Sequence, residues 1–211
     1  MGGGLPKGIS IKRQFSHGFN EIISVENLLL AWQEFVRGKR MKHDVQEFAL
    51  HLMDNILALH TDLTQINYQH GGYQHFRIAD PKPRDIHKAS VRDRLLHHAL
   101  YRILYPSYNT TFIHDSFSCR LGKGTHKALQ RFKYFSNIVS KNNTKTTWVL
   151  KGDIKKFFAN INHSILISLL QKHIKDQNLL SLLENIISSF SVSPGKGLPL
   201  GNLTSQLLVN I

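Results

Sequence analysis

The chain has 211 residues, 41% hydrophobic and 19% charged, which is enough apolar material for a core and excludes a disordered tail. Lys and Arg number 27 against 14 Asp and Glu, a formal charge of +13, so the expected partner is a polyanion, either nucleic acid or an anionic membrane surface. The single cysteine, Cys119, excludes a disulfide framework and a thiolate-built zinc site, and no stretch approaches the ~20 apolar residues of a membrane span.

Residues 1–20 are Gly-rich and aperiodic and read as a loose arm. Met1 to Lys7 lacks the apolar core of a signal peptide, and Pro6 stands where a myristoylation signal needs Ser or Thr. The expected location is therefore the cytoplasm, with no membrane partner. Ser24 is placed to cap a helix through about Gly38, with Leu28, Leu29, Trp32 and Phe35/Val36 on one side. Asp44 is placed to cap a longer helix through about Leu63, with the stripe Phe48, Leu52, Ile56, Leu59, Leu63. Gly71-Gly72 closes this helical part and marks a subdomain boundary.

Tyr73 to Ala79 alternates like a strand, Pro81 and Pro83 mark a turn, and Arg84 to Lys88 forms the partner strand. A helix runs from Ser90 to about Tyr105, where Pro106 stops it, and Thr125 caps another through about Ser140. Thr146 to Leu150 is β-branched and aromatic and reads as a short strand. Helices follow over about 163–173 and 177–189, then the Ser193-Pro194-Gly195-Lys196-Gly197 loop and a last helix from near Asn202.

The charge is uneven. Residues 1–68 carry seven basic and seven acidic side chains, 69–150 fourteen and four, and 151–211 six and three. A basic segment between near-neutral flanks, interleaved with aromatics, reads as a nucleic-acid surface with salt-dependent affinity. Familiar small-site motifs fail. Gly122-Lys123 lacks both the upstream Gly and the following Ser/Thr of a phosphate-binding loop, and no His-Glu-x-x-His occurs. Ser116 and Ser205 lack a nucleophile-elbow setting.

One segment concentrates phosphoryl-transfer chemistry. In Trp148-Val149-Leu150-Lys151-Gly152-Asp153-Ile154-Lys155-Lys156-Phe157-Phe158, an apolar run delivers a carboxylate, followed at once by two lysines and two phenylalanines. A hard oxygen ligand for Mg²⁺, cations for phosphate and flat apolar surface for a sugar or base are all present. On spacing alone, Asp153 reads first as a cap for the next turn, since Asp at a strand end is common.

The run from Lys151 to His163 resembles the first catalytic motif of reverse transcriptases. Gly197-Leu198-Pro199-Leu200-Gly201-Asn202-Leu203-Thr204-Ser205-Gln206 resembles the next polymerase motif. Asp80-Pro81-Lys82-Pro83-Arg84, Val91-Arg92-Asp93-Arg94 and Ser116 to His126 resemble the fingers of bacterial reverse transcriptases. The resemblance covers about residues 73–211. It implies an α+β, helix-rich fold: right-hand polymerase fingers and a partial palm with a small incomplete antiparallel sheet. The implied division is a helical extension over 1–68, a basic fingers-like region over 69–145 and a partial palm over 146–211. Leu200-Gly201-x-x-x-Ser205-Gln206 is most similar to the diversity-generating retroelement class; group II intron and retron or phage-defence enzymes are the alternatives.

The resemblance also implies roles. Asp153 and the Ile154 carbonyl would hold Mg²⁺, two ions in a complete enzyme. Lys82 and Arg84 would engage the triphosphate of a deoxynucleotide, Phe158 would exclude a ribose 2′-hydroxyl, and Leu200, Gly201 and Gln206 would complete the nucleotide site. Arg94, Arg120, Gly122 and Lys123 would contact nucleic acid. The partners would be an RNA template, a DNA primer and, for the retroelement class, a small basic accessory protein. No Asp-Asp pair occurs in the chain, so the Tyr-x-Asp-Asp hairpin is missing and the expectation is a fragment inactive alone. A reading from a different class is a non-catalytic RNA-binding module built on the basic segment.

Overall fold

The structure, a computed structural model, describes residues 18–79 and 83–211. Lys82, Asp80 and Pro81, and the arm up to residue 17, lie outside the described residues. The elements in order are α1 (Phe19–Ile23), α2 (Val25–Phe35), α3 (His43–Leu50), α4 (Leu52–Thr64), β1 (Tyr73–Ile78), β2 (Arg84–Ala89), α5 (Val91–Asn109), α6 (Thr125–Val139), α7 (Phe157–Asn160), α8 (His163–Gln171), α9 (Gln177–Ser188) and α10 (Leu203–Leu208). The result is the expected helix-rich α+β fold. Its small sheet is an antiparallel hairpin pairing Tyr73 with Ala89 through to Ile78 with Arg84.

α5 is the hub. Leu95, Leu96, Ala99, Leu100 and Leu104 recur at helical spacing, so they share a face, and all are buried against α1, α2, α3 and α10. Each buried leucine contributes roughly 1.5–3 kcal/mol relative to exposure. α8 and α9 form a second pair through Leu166, Leu170, Leu179, Leu183 and Ile187, and their core is continuous with that of α5.

Polar side chains tie the N-terminal helices to this hub. Asp93, 1% exposed, accepts from Tyr68 (2.7 Å), from the Ser90 hydroxyl (2.6 Å) and from the Gly71 amide (3.2 Å). Its neighbours brace the other helices: Arg92 pairs with Asp62 and Arg94 with Asp44, both at 2.5 Å. Asn27 is buried and donates to the carbonyls of Ile22 and Ala99 while accepting from Arg102. Asp176 caps α9 and also accepts from the Phe19 amide at 2.7 Å, so α1 is tied to α9.

Several local expectations change. The Ser24 cap stands, accepting from the Asn27 amide. Asp44 caps nothing: Lys42 is the N-cap position of α3, and the Asp44 carboxylate is drawn to Lys88 (2.7 Å) and Arg94 instead. The expected single helix over 44–63 is two, interrupted at His51 (φ −120°, ψ 40°). Pro106 does not stop α5, because the burial of Leu104, Tyr105 and Tyr108 outweighs the lost backbone bond. Gly124, not Thr125, is the N-cap of α6.

Thr146 to Leu150 forms no strand. The segment is unpaired, with Trp148 94% and Leu150 98% exposed, since a strand exists only with a hydrogen-bonded neighbour. α6 is likewise unpartnered: no residue on it is buried, and Leu129, Phe132 and Phe135 are exposed.

Candidate nucleotide and nucleic-acid clefts

Alternate residues of a strand face opposite sides, and the β1–β2 hairpin uses both sides as walls. His75, Asp85 and His87 face one cleft; Phe76, Ile86 and Lys88 face another. A third chain segment docks on β2. The His87 amide donates to the Leu200 carbonyl at 3.0 Å, and the Asn202 side-chain amide donates to the His87 carbonyl at 2.9 Å. Gly201 lies between these bonds at φ +102°, and a Cβ there would come within 2.9 Å of Ile86 Cγ2. Glycine is thus required for the approach.

The first cleft has a volume of about 800 Å³ and brings together Arg84, Phe158 and Leu200 with Lys156, His87 and Phe190. Arg84 comes from the start of β2, Phe158 from α7 and Leu200 from the loop before α10. Phe158 is half-buried: it packs on the core and also lines the cleft. Lys156 has φ +51°, a left-handed conformation uncommon outside glycine, which turns the chain from Asp153 into α7.

The second cleft, of about 350 Å³, brings together Gly201, Gln206 and Arg94 with Lys39, Lys88 and His98. Its positive groups crowd one another. Burial, with Arg94 nearby, lowers the Lys39 ammonium; burial, then Lys39 and Arg94, pushes His98 down to about 4. Burial opposes ionisation of Asp44, but the Lys88 and Arg94 charges outweigh it and hold the carboxyl below its usual range. Asp44 therefore braces this cationic wall from behind.

Asp153 and Ile154 are exposed in the irregular segment before Lys156, and Asp153 makes no hydrogen bond or ion pair with described residues. Asp153 does not line the first cleft. Among the described residues no group of three or more His, Cys, Asp or Glu side chains converges. The donors present among the described residues thus do not make up a two-ion site.

The expected nucleic-acid contacts on the 110–124 loop divide. Arg120 is occupied internally, donating to Asn109 and to the Ile113 and Ser116 carbonyls. Lys123 donates to the His114 carbonyl at 2.7 Å and sits over the Phe117 ring. Gly122 and Lys123 line a shallow groove with Lys127, Arg131 and Tyr134. Sequence reasoning named Lys156 as a phosphate cation but gave no role to Lys39, Lys88, His87, Phe190 or Asn202. The alternation of β2 was the available signal for His87 and Lys88; Phe190 and Lys39 carried none.

The family model described as "Reverse transcriptase (RNA-dependent DNA polymerase)" matches residues 78–211, more than half of the chain. Protein YkfC of Escherichia coli is 26% identical over 136 residues, covering 62% of this chain and 35% of that protein. Group II intron-encoded protein LtrA of Lactococcus lactis is 29% identical over 136 residues, 62% of this chain and 22% of LtrA. In structure, a chain of a partial Cas6-RT-Cas1–Cas2 complex aligns over 92% of this chain and 34% of its own length, with a TM-score of 0.63 at 21% identity. The chain spans about a third or less of the length of these relatives. Among the described residues no helix is long and apolar enough to cross a membrane. On the match over residues 78–211, the chain belongs to the reverse transcriptase family, whose members are RNA-directed DNA polymerases that use divalent metal ions.

Proposed function

We propose that the chain supplies the fingers and first palm motifs of an RNA-directed DNA polymerase, with a deoxynucleoside triphosphate in the first cleft and the RNA template against the second. The observation that supports this reading is the sorting of the motif residues. Arg84, Phe158 and Leu200, distant in sequence, line one cleft, whereas Gly201 and Gln206, expected beside the nucleotide, line the other with Arg94 across one shared hairpin. A planar guanidinium suits bidentate contact with a polyphosphate, and an aromatic ring suits contact with a sugar face.

In this reading Asp153, with the Ile154 carbonyl, would help hold Mg²⁺ only in the longer polypeptide, three residues before the cleft-lining Lys156, and Lys82 assists Arg84. Gly122 and Lys123 extend the template path, with the DNA primer meeting it at Asp153. The aliphatic Leu200 supports assignment to the diversity-generating class, with a small basic accessory protein as partner; the named group II intron relative supports an intron-type enzyme as the alternative. Primer extension on an RNA template, in a polypeptide that also carries the Tyr-x-Asp-Asp hairpin, tests the catalytic assignment. Asp153→Ala abolishes extension and leaves RNA binding intact. Extension by that variant contradicts the reading, and an unchanged variant in every assay leaves the non-catalytic RNA-binding module.

A further inference from the structure

Two side chains of the first cleft, His87 and Phe190, belong to none of the motif roles above. Both are held firmly. The His87 backbone is clasped on both sides, its amide by the Leu200 carbonyl and its carbonyl by Asn202. Its ring lies between His75 (centroids 5.0 Å apart) and Phe190 (4.6 Å). Phe190 in turn rests edge-on against Tyr73, whose hydroxyl is bonded to Ser189 at 2.8 Å. The imidazole is therefore a fixed group in the cleft wall.

Its two nitrogens differ. Nδ1 is enclosed and has no hydrogen-bond partner, whereas Nε2 has no partner among the described residues and is not enclosed. An enclosed N–H without an acceptor costs about 1–3 kcal/mol. An unpartnered lone pair is the less uncommon defect. The proton therefore belongs on Nε2, the nitrogen left open on the residue's cleft-lining side. Asp85 on the same face is engaged by His75 at 3.2 Å, leaving Arg84 and Lys156 as the cations of this wall.

We propose that His87 is a nucleotide-binding residue, its Nε2–H donating to a phosphate oxygen of the triphosphate whose other end is held by Arg84. The proposal rests on the nucleotide reading of the first cleft. His87 and Arg84 both line this cleft, Arg84 from the first position of the strand, and three residues separate their backbones by about 10 Å. A single phosphate does not bridge that distance; an extended polyphosphate tail does. Phe190 seats the imidazole and, with Phe158, gives the nucleoside an apolar surface. Burial, then the neighbouring His75, lowers the pKa of His87, which keeps the ring a neutral donor.

Calorimetric titration of the 211-residue chain with dATP, tripolyphosphate, inorganic phosphate and deoxyadenosine, in Mg²⁺ buffer, tests this. His87→Phe keeps the stacked ring and removes the donor, and it leaves no bonded partner behind, so its melting temperature stays that of the parent chain. It weakens dATP and tripolyphosphate about tenfold and leaves deoxyadenosine unchanged, and His87→Gln recovers most of the loss. In the parent chain, ¹⁵N-histidine NMR shows the Nε2–H tautomer and a shift of that signal on adding tripolyphosphate but not inorganic phosphate. Unchanged dATP affinity in His87→Phe, with Arg84→Ala still losing it, overturns the His87 role while the cleft assignment survives. A Nδ1–H tautomer, or a loss confined to deoxyadenosine, also overturns it. Absence of dATP binding to the parent chain overturns both.

Discussion

Asp93→Ala is expected to be among the most destabilising single changes in this chain. The carboxylate is 1% exposed and accepts from three donors on separate segments: Tyr68 after α4, Gly71 before β1 and Ser90 at the α5 cap. Among the described residues the Tyr68 hydroxyl and the Gly71 amide make no other hydrogen bond, so alanine leaves two inner donors without acceptors. At ~1–3 kcal/mol for each, offset partly by removing a buried charge, the loss is about 3–5 kcal/mol. With a urea m-value of roughly 2 kcal/mol per M, the midpoint falls by about 2 M. Tyr68→Phe alone costs about 1.5 kcal/mol, and the double variant shows a coupling of about 1.5–3 kcal/mol. RNA affinity per folded molecule is unchanged, because Asp93 is a strut and not a contact. A midpoint shift below about 0.5 M, or additivity of the two substitutions, refutes the reasoning.

Gly201→Ala forces a side chain into a left-handed backbone and against Ile86, so the Leu200–Asn202 loop lifts from β2. Stability drops by about 1–3 kcal/mol and the His87 amide loses hydrogen-exchange protection, effects that Ile86→Ala relieves only in part. Phe158→Ala opens the first cleft beside Leu198 and Leu200, and the affinity ratio of deoxy- to ribonucleotide falls toward one in competition binding; an unchanged ratio removes the gate role. His98, pushed down to about 4 by burial, Lys39 and Arg94, has a folded pKa below its unfolded value near ~6.5. The unfolded chain then binds more protons in that window, so stability present above pH ~6.5 is lost as pH falls toward 4. Melting curves across this range show a smaller acid loss for His98→Phe than for the parent chain.

Local structure was legible where local physics decides it. Ser24 before an apolar stripe, the alternation in Tyr73 to Ile78 and the glycines of the 193–197 loop each carry their geometry in a few residues. The motif residues of the first cleft were also legible, through resemblance. Tertiary partners were not. Asp44 looks like a helix cap until Arg94, 50 residues away, competes for it. Pro106 looks like a stop until Tyr108 finds a buried position. Thr146 to Leu150 has strand composition, but composition cannot supply the neighbouring strand. The division of the motif residues between two clefts depends on Asn202 reaching the His87 carbonyl, 115 residues away. Arg94 is expected from the resemblance to contact nucleic acid; in the fold it lines the second cleft and also pairs with Asp44, a partner 50 residues away.

Photo-crosslinking with 8-azido-dATP, followed by peptide mapping of the 211-residue chain, tests the nucleotide assignment most directly. The account predicts label on peptides carrying Arg84 to His87, Lys156 to Phe158 or Phe190 to Leu200, competed by unmodified dATP and lost in Arg84→Ala. Label concentrated on α6 or on the Lys39 and Arg94 cleft, insensitive to Arg84→Ala, would contradict it.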